Sequence, residues 1–176
     1  GEGGLKKDAV VALGYFEKAL AANPGNLDSF GVEVLPSSVN FDIAMMYYTG
    51  EGNLKQDYAK AYDYFAENSE CILSQAYLGL MHLRGEGFEK NEKRAVELFQ
   101  NAIKIFTKGS VNHTPNKARV AVPRYFLATM YYNGRGGLDK NVKESVRLLQ
   151  YVANIKNYFC SGIVKQCRID GQLMLA

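Results

Sequence analysis

Histidine is scarce in this chain, with only His82 and His113 among 176 residues. No HxxxH, CxxC or serine-elbow pattern accompanies them, so neither a metal cluster nor an acyl-transfer centre is signalled. Cys71 lies eleven residues before His82. On one helix that is about three turns, out of reach for a thiol–imidazole pair. His113 has no Asp or Glu near it in sequence. These shortages point away from an enzyme, and no metal or cofactor is expected. Cysteine is also sparse: Cys71, Cys160 and Cys167 make no disulfide framework, and Cys160 and Cys167 are too far apart to bridge on one regular helix. They read as buried or free thiols. No run of 18 apolar residues exists, which excludes a transmembrane helix. Charge is nearly balanced, 21 Lys and Arg against 18 Asp and Glu for a net +3. The basic residues look dispersed, so no footprint for nucleic acid or an acidic membrane is expected.

What the chain does have is a pattern. Ser74 to Lys104 reads SQAYLGLMHLRGEGFEKNEKRAVELFQNAIK, two amphipathic helices around Gly85-Glu86-Gly87. Ala76, Leu80 and Leu83 recur at i, i+4, i+7 before the turn. Ala95, Leu98, Phe99, Ala102 and Ile103 form one stripe after it, with charges opposite. Asn91 is placed to cap the second helix. Glycine at both ends of the turn permits the positive φ of a sharp reversal.

The unit occurs four times. Its Gly-x-Gly anchors are Gly1/Gly3, Gly50/Gly52, Gly85/Gly87 and Gly134/Gly136, spaced by 49, 35 and 49 residues. After each comes Asp or Asn (Asp8, Asp57, Asn91, Asn141). Four residues later stands a small residue (Ala12, Ala61, Ala95, Ser145), and after eight a bulky one (Phe16, Phe65, Phe99, Leu149). Matched helices, IAMMYYTG, LGLMHLRG and LATMYYNG, precede three of the anchors. Glycines that follow a helix and recur periodically are structural turns rather than phosphate cradles. Repeated helix pairs define a solenoid, each unit burying its apolar face against its neighbours.

Eight helical segments are expected: Asp8–Ala22, Val39–Thr49, Asp57–Asn68, Cys71–Arg84, Asn91–Thr107, Val122–Asn133, Asn141–Ile155, and one from about Tyr158. In the first, Val11, Leu13, Phe16 and Leu20 are available for burial. Pro123 fits a first turn. No segment alternates long enough for a strand. The composition, 47% hydrophobic and 22% charged, suits one domain over 1–176. Within it, 1–22 is a partial repeat, 23–38 an insertion and 39–70 a repeat. Then 71–107 is a repeat, 108–118 a polar insertion, 119–155 a repeat and 156–176 the start of a further helix. The first insertion carries Leu27, Phe30, Val32, Val34 and Leu35, which need a packing surface or a partner. Beginning inside a repeat and without Met, the chain reads as a fragment, and its two ends could self-associate through exposed apolar surface.

The pattern L-[GA]-x-M-[YH]-x-x-G-x-G followed by D/N-x-x-x-A-x-x-x-F resembles the Sel-one-like repeat, a relative of the tetratricopeptide repeat. The resemblance covers 1 to about 155, with Ile43, His82, Ser145 and Leu149 as departures. It implies an all-α, right-handed superhelical solenoid of antiparallel helix pairs. It also implies a non-enzymatic scaffold or adaptor that binds proteins or peptides. AVELFQNA and YFLATMYYNGRG resemble the branch that serves as the endoplasmic-reticulum-luminal adaptor of a ubiquitin ligase in ER-associated degradation. Other branches are cytosolic signalling scaffolds, chitin-synthase activators and bacterial effectors. Readings of other classes are a hydrolase, after the β-lactam-binding activity attributed to cysteine-rich relatives, and an RNA-binding solenoid, whose affinity would fall steeply with salt.

In this superfamily the first helices line the concave side. Their core positions map to Ile43, Ala44 and Tyr47, to Leu78, Gly79 and His82, and to Leu127, Ala128 and Tyr131. The adjacent stripe carries Phe41, Met45 and Tyr48, then Ala76, Leu80 and Leu83, then Tyr125, Thr129 and Tyr132, each spaced i, i+4, i+7. Aromatic and Met side chains suit an adaptable peptide groove. Phe41, Met45, Tyr48, Leu80, Leu83, Tyr125, Thr129 and Tyr132 are therefore the expected partner-binding residues. The competing reading is that neighbouring helices bury the same stripe. Asn112-His113-Thr114 is an N-glycosylation sequon in the expected exposed loop, followed at once by Pro115.

Overall fold

The computed structural model describes residues 8–22, 36–108, 117–155 and 162–175. The described residues are helical, with no strand among them. They fall into two compact units, Gly1–Ser69 and Glu70–Ala176.

The first unit holds α1 (Ala9–Ala22), α2 (Pro36–Thr49) and α3 (Tyr58–Glu67). α2 begins three residues before the expected Val39 because Pro36, with φ preset and no N–H to leave unbonded, suits a first helical position. Residues 36–38 thus join a helix, and the remainder of the expected first insertion lies outside the described residues. α2 and α3 pair closely and enclose Ile43, Ala44, Tyr47, Ala61 and Phe65, all buried. α1 packs on α2 and buries Ala9 and Leu13. Val11, expected to be available for burial, is 52% exposed: two residues from Leu13, it falls on nearly the opposite side of the helix.

The second unit holds α4 (Ile72–Arg84), α5 (Glu92–Lys108), α6 (Ala121–Asn133), α7 (Val142–Ala153) and α8 (Gly162–Leu175). A 3-10 turn, Lys117–Val120, leads into α6. Pro123 lies buried in the first turn of α6, where the missing N–H costs nothing. α4 pairs with α5 and α6 with α7; α6 also packs on α5, and α8 lies on both α7 and α6. One continuous core runs through Leu80, Phe99, Leu127, Leu149, Val152 and Cys167.

Both units use the same local chemistry at each reversal. Asp57, Asn91 and Asn141 accept the backbone N–H of Lys60, Arg94 and Glu144 at 3.0, 2.9 and 3.0 Å, capping the second helix. Asp8 does the same for α1, accepting from Val11 at 3.1 Å. At Asp57, Asn91 and Asn141 such caps contribute about 1 kcal/mol each. The backbone N–H of the same three residues donates to the first helix, Asp57 to the Tyr47 carbonyl, Asn91 to His82 and Asn141 to Tyr131, at 2.9, 2.8 and 2.9 Å. One residue type therefore starts the second helix and ties it to the first. Gly85 ends α4 in the left-handed region, φ +72°, its N–H bonded to the Met81 carbonyl at 2.8 Å.

The second glycine of the pair does something else. A Cβ on Gly136 would sit 2.7 Å from both Met130 Cε and Val96 Cγ2, and 2.8 Å from the Glu92 carbonyl oxygen. The turn between α6 and α7 is thus pressed against the first turn of α5, where only glycine fits.

Candidate interaction surface

The first-helix stripes divide once the packing is known. Leu80 is 0% exposed and sits in the core of the second unit with Ala76, Phe99 and Leu127. This is a correction, because a fully enclosed side chain cannot meet a partner. The sequence could not show it, since both stripes of α4 are apolar and only the neighbouring helices decide which is covered.

The other seven residues keep some exposure. Phe41 and Tyr48 are half-buried against α3: the Phe41 and Phe65 rings are 5.7 Å apart, and Tyr48 meets Tyr58 and Phe65 edge-on at 5.5 and 6.3 Å. Much of both rings is therefore used within the helix pair. Met45, between them, is half-buried. In the second unit, Leu83 packs at the margin of the core. Tyr125 faces α8, its hydroxyl 3.4 Å from Asp170 Oδ2, and burial followed by the Asp170 charge raises its pKa. Thr129 turns its hydroxyl back to the Phe126 carbonyl at 2.7 Å. Tyr132 is the most open, 46% exposed, with Lys140 Nζ 5.7 Å from its ring centre. Of the expected core positions, His82 and Tyr131 are only half-buried, while the other seven are buried.

The His82 ring lies tilted against that of Phe88, centres 4.5 Å apart, and burial, then the Arg94 charge, pushes its pKa below the usual histidine value. It is a packed, half-buried imidazole whose charged form is disfavoured. Cys167 is buried and its pKa is pushed up to about 12, chiefly by burial and then by Asp170, so the thiol is inert as a nucleophile. Cys71 and Cys167 are both free thiols. Cys160, Asn112 and His113 lie outside the described residues, as does the body of the second insertion. Among the described residues no group of His, Cys, Asp and Glu could hold a metal ion. No helix there is long and apolar enough to cross a membrane.

Three contacts went unforeseen. Gly79 admits Phe99: a Cβ there would lie 2.5 Å from Phe99 Cε1, so the glycine is required by close packing within α4 and α5. Its place in the [GA] position was visible, but the ring filling the gap was not. Arg135, in the α6–α7 turn, reaches Glu92 at the start of α5 through two hydrogen bonds, that from Nε being 3.1 Å. Lys90 also meets Glu92 at 2.8 Å, and Arg135 first, then Lys90, lowers the Glu92 pKa from 4.5 to about 2. In the first unit Asn53, in the α2–α3 turn, donates to Asp8 at 3.1 Å and accepts from the Val10 N–H at 3.3 Å. Both ties join the turn of one repeat to the start of the preceding repeat's second helix.

Helix pairs joined by a recurring glycine turn and packed pair upon pair define an α-solenoid. The Sel1 repeat family model matches residues 1–24, 37–67, 72–104 and 124–154, and the chain belongs to that family. Proteins of this repeat family are generally protein-interaction scaffolds, and the fold is typically non-catalytic. Among solved structures the chain is similar to c5321, a protective antigen of uropathogenic Escherichia coli strains that displays an SLR fold. Identity is 17% and the TM-score 0.59, over 93% of this chain and 32% of that one. The chain thus spans about a third of that protein's length. It is similar also to a Sel1 repeat protein from Oxalobacter formigenes, with 19% identity and a TM-score of 0.56 over 90% of this chain and 98% of that one. At these identities the likeness concerns the fold. Comparison with curated protein sequences gives no match.

Proposed function

We propose that the protein is a non-enzymatic scaffold or adaptor that holds protein partners on the faces of its first helices. What carries the reading is the repeat itself: four copies of a unit whose family serves protein interaction account for most of the chain. The residues suited to contact are those the packing leaves open, Met45 in the first unit and Leu83, Thr129 and Tyr132 in the second. Tyr132 is the natural anchor, a large amphipathic ring with a polar tip. Within the family, the likeness of Ala95–Ala102 and Tyr125–Gly136 to the degradation adaptor favours a place in the ER lumen beside a membrane ubiquitin ligase. A cytosolic or bacterial signalling scaffold is the alternative.

The test is affinity capture from native extract with the chain as bait, beside a Leu83→Ala, Tyr132→Ala variant shown folded by circular dichroism. Loss of specific partners from the folded variant is expected. Their full retention sinks the first-helix face as the working surface. Co-purification with a ubiquitin ligase supports the finer assignment, and exclusively cytosolic or bacterial partners overturn it.

A further inference from the structure

The basic residues are less dispersed than the overall balance suggests. From Leu98 to Leu138 there are six Lys or Arg and no Asp or Glu. Lys104, near the end of α5, complements the negative end of its dipole. Arg119, at the entry to α6, lies at the end where a cation is unfavourable, so helix electrostatics do not account for it.

Arg124 is the informative member. It is half-buried on α6, and its guanidinium carbon lies 3.4 Å from the centre of the Tyr151 ring of α7 and 5.9 Å from that of Phe106 of α5. It therefore stands where second helices of consecutive repeats approach one first helix. Its Nε is enclosed and has no hydrogen-bond acceptor. Among the described residues no carboxylate pairs with it. In sequence, neither 109–116 nor 156–161 contains an Asp or Glu. Burial lowers its pKa, the Tyr151 hydroxyl beside it acts in the opposite direction, and Arg147 nearby adds repulsion. Arg147 itself is held by Glu144 at 2.6 and 2.7 Å. Ring faces attract a guanidinium but accept none of its in-plane N–H bonds. A partly desolvated cation without a carboxylate partner gains most from one brought from outside.

We propose that Arg124, flanked by Phe106 and Tyr151, is the anchor of a second docking surface, one that takes an acidic peptide segment of a partner protein. Arg124 receives a Glu or Asp side chain, and the rings give the neighbouring apolar residues a contact. The proposal rests on the scaffold reading in taking protein as the occupant, but it uses different residues. Capture through Leu83 and Tyr132 and acidic-peptide binding at Arg124 can therefore fail separately.

The experiment is fluorescence anisotropy with a labelled twelve-residue peptide alternating Glu and Leu, its Gln counterpart, and a uridine oligonucleotide of equal charge. The Glu peptide is expected to bind, and Arg124→Gln to weaken it by about tenfold, the loss of one charge-assisted hydrogen-bonded contact. Glu144→Gln frees Arg147 and is expected to tighten binding by about threefold. That variant leaves Arg124 in place and decides the matter if Arg124→Gln proves unfolded. Equal binding of the Gln peptide, no response to either substitution, or weaker binding by Glu144→Gln overturns the proposal. Tighter binding of the oligonucleotide than of the Glu peptide overturns the assignment to protein.

Discussion

The first and second units solve one problem in two ways. In each, a turn reaches back to the first turn of the preceding repeat's second helix. In the first unit the tie is neutral on one side, the Asn53 amide on Asp8 and on the Val10 N–H. In the second it is ionic, Arg135 and Lys90 on Glu92, with Gly136 wedged beneath. The place of the clasp is set by the repeat geometry, while its chemistry is free to vary. Stability at the two clasps should therefore respond to different variables.

The largest difference should come from Gly136→Ala. The new methyl would meet a backbone oxygen as well as two side chains, at a φ of +66° that alanine rarely adopts. A loss of about 2–4 kcal/mol is expected in urea unfolding, from overpacking plus backbone strain. The adjacent Gly137→Ala has open space around its Cβ and tests strain alone, at about 1 kcal/mol. Equal losses at both sites would remove the wedge from the account.

Gly79→Ala comes next, with about 1–3 kcal/mol expected, because Phe99 has no room to retreat in a filled core. The equivalent helix of the first unit already carries alanine at this position, the buried Ala44. Pairing Gly79→Ala with Phe99→Leu should recover part of the loss if ring contact is the cause.

The smallest effect distinguishes the clasps most cleanly. Glu92 has a folded pKa of about 2, below its ordinary 4.5. Its contribution is thus fully present above pH 4.5 and fades as pH falls towards 2. As a partly exposed ion pair it should be worth about 1 kcal/mol or less and weaken in 1 M salt. Glu92→Gln should remove that salt dependence, measured by thermal melts at low and high ionic strength. Asp8 also has a lowered pKa, but from the Val11 N–H first and Asn53 second. Asn53→Ala should then lower stability by a salt-independent amount.

How much of this was legible follows the range of the interactions. Helix ends were readable because their determinants are local: Asp57, Asn91 and Asn141 cap the helices they precede, and Gly85 ends α4. Helix type and repeat register came from periodicity. Which apolar stripe stays open was not readable, because Leu80 and Leu83 differ only in the helices that cover them. Arg124 carried no signal in sequence beyond an acid-free neighbourhood, since the Phe106 and Tyr151 rings reach it from other helices.

Within each compact unit, helix pairs are held by local clasps and stabilised mainly by the neighbours they pack on. Native-state hydrogen exchange on Gly136→Ala tests it most directly. Lost amide protection is expected in α6, α7 and α8, a smaller loss in α5, and unchanged protection in α2 and α3. An even loss across all helices of both units would contradict it.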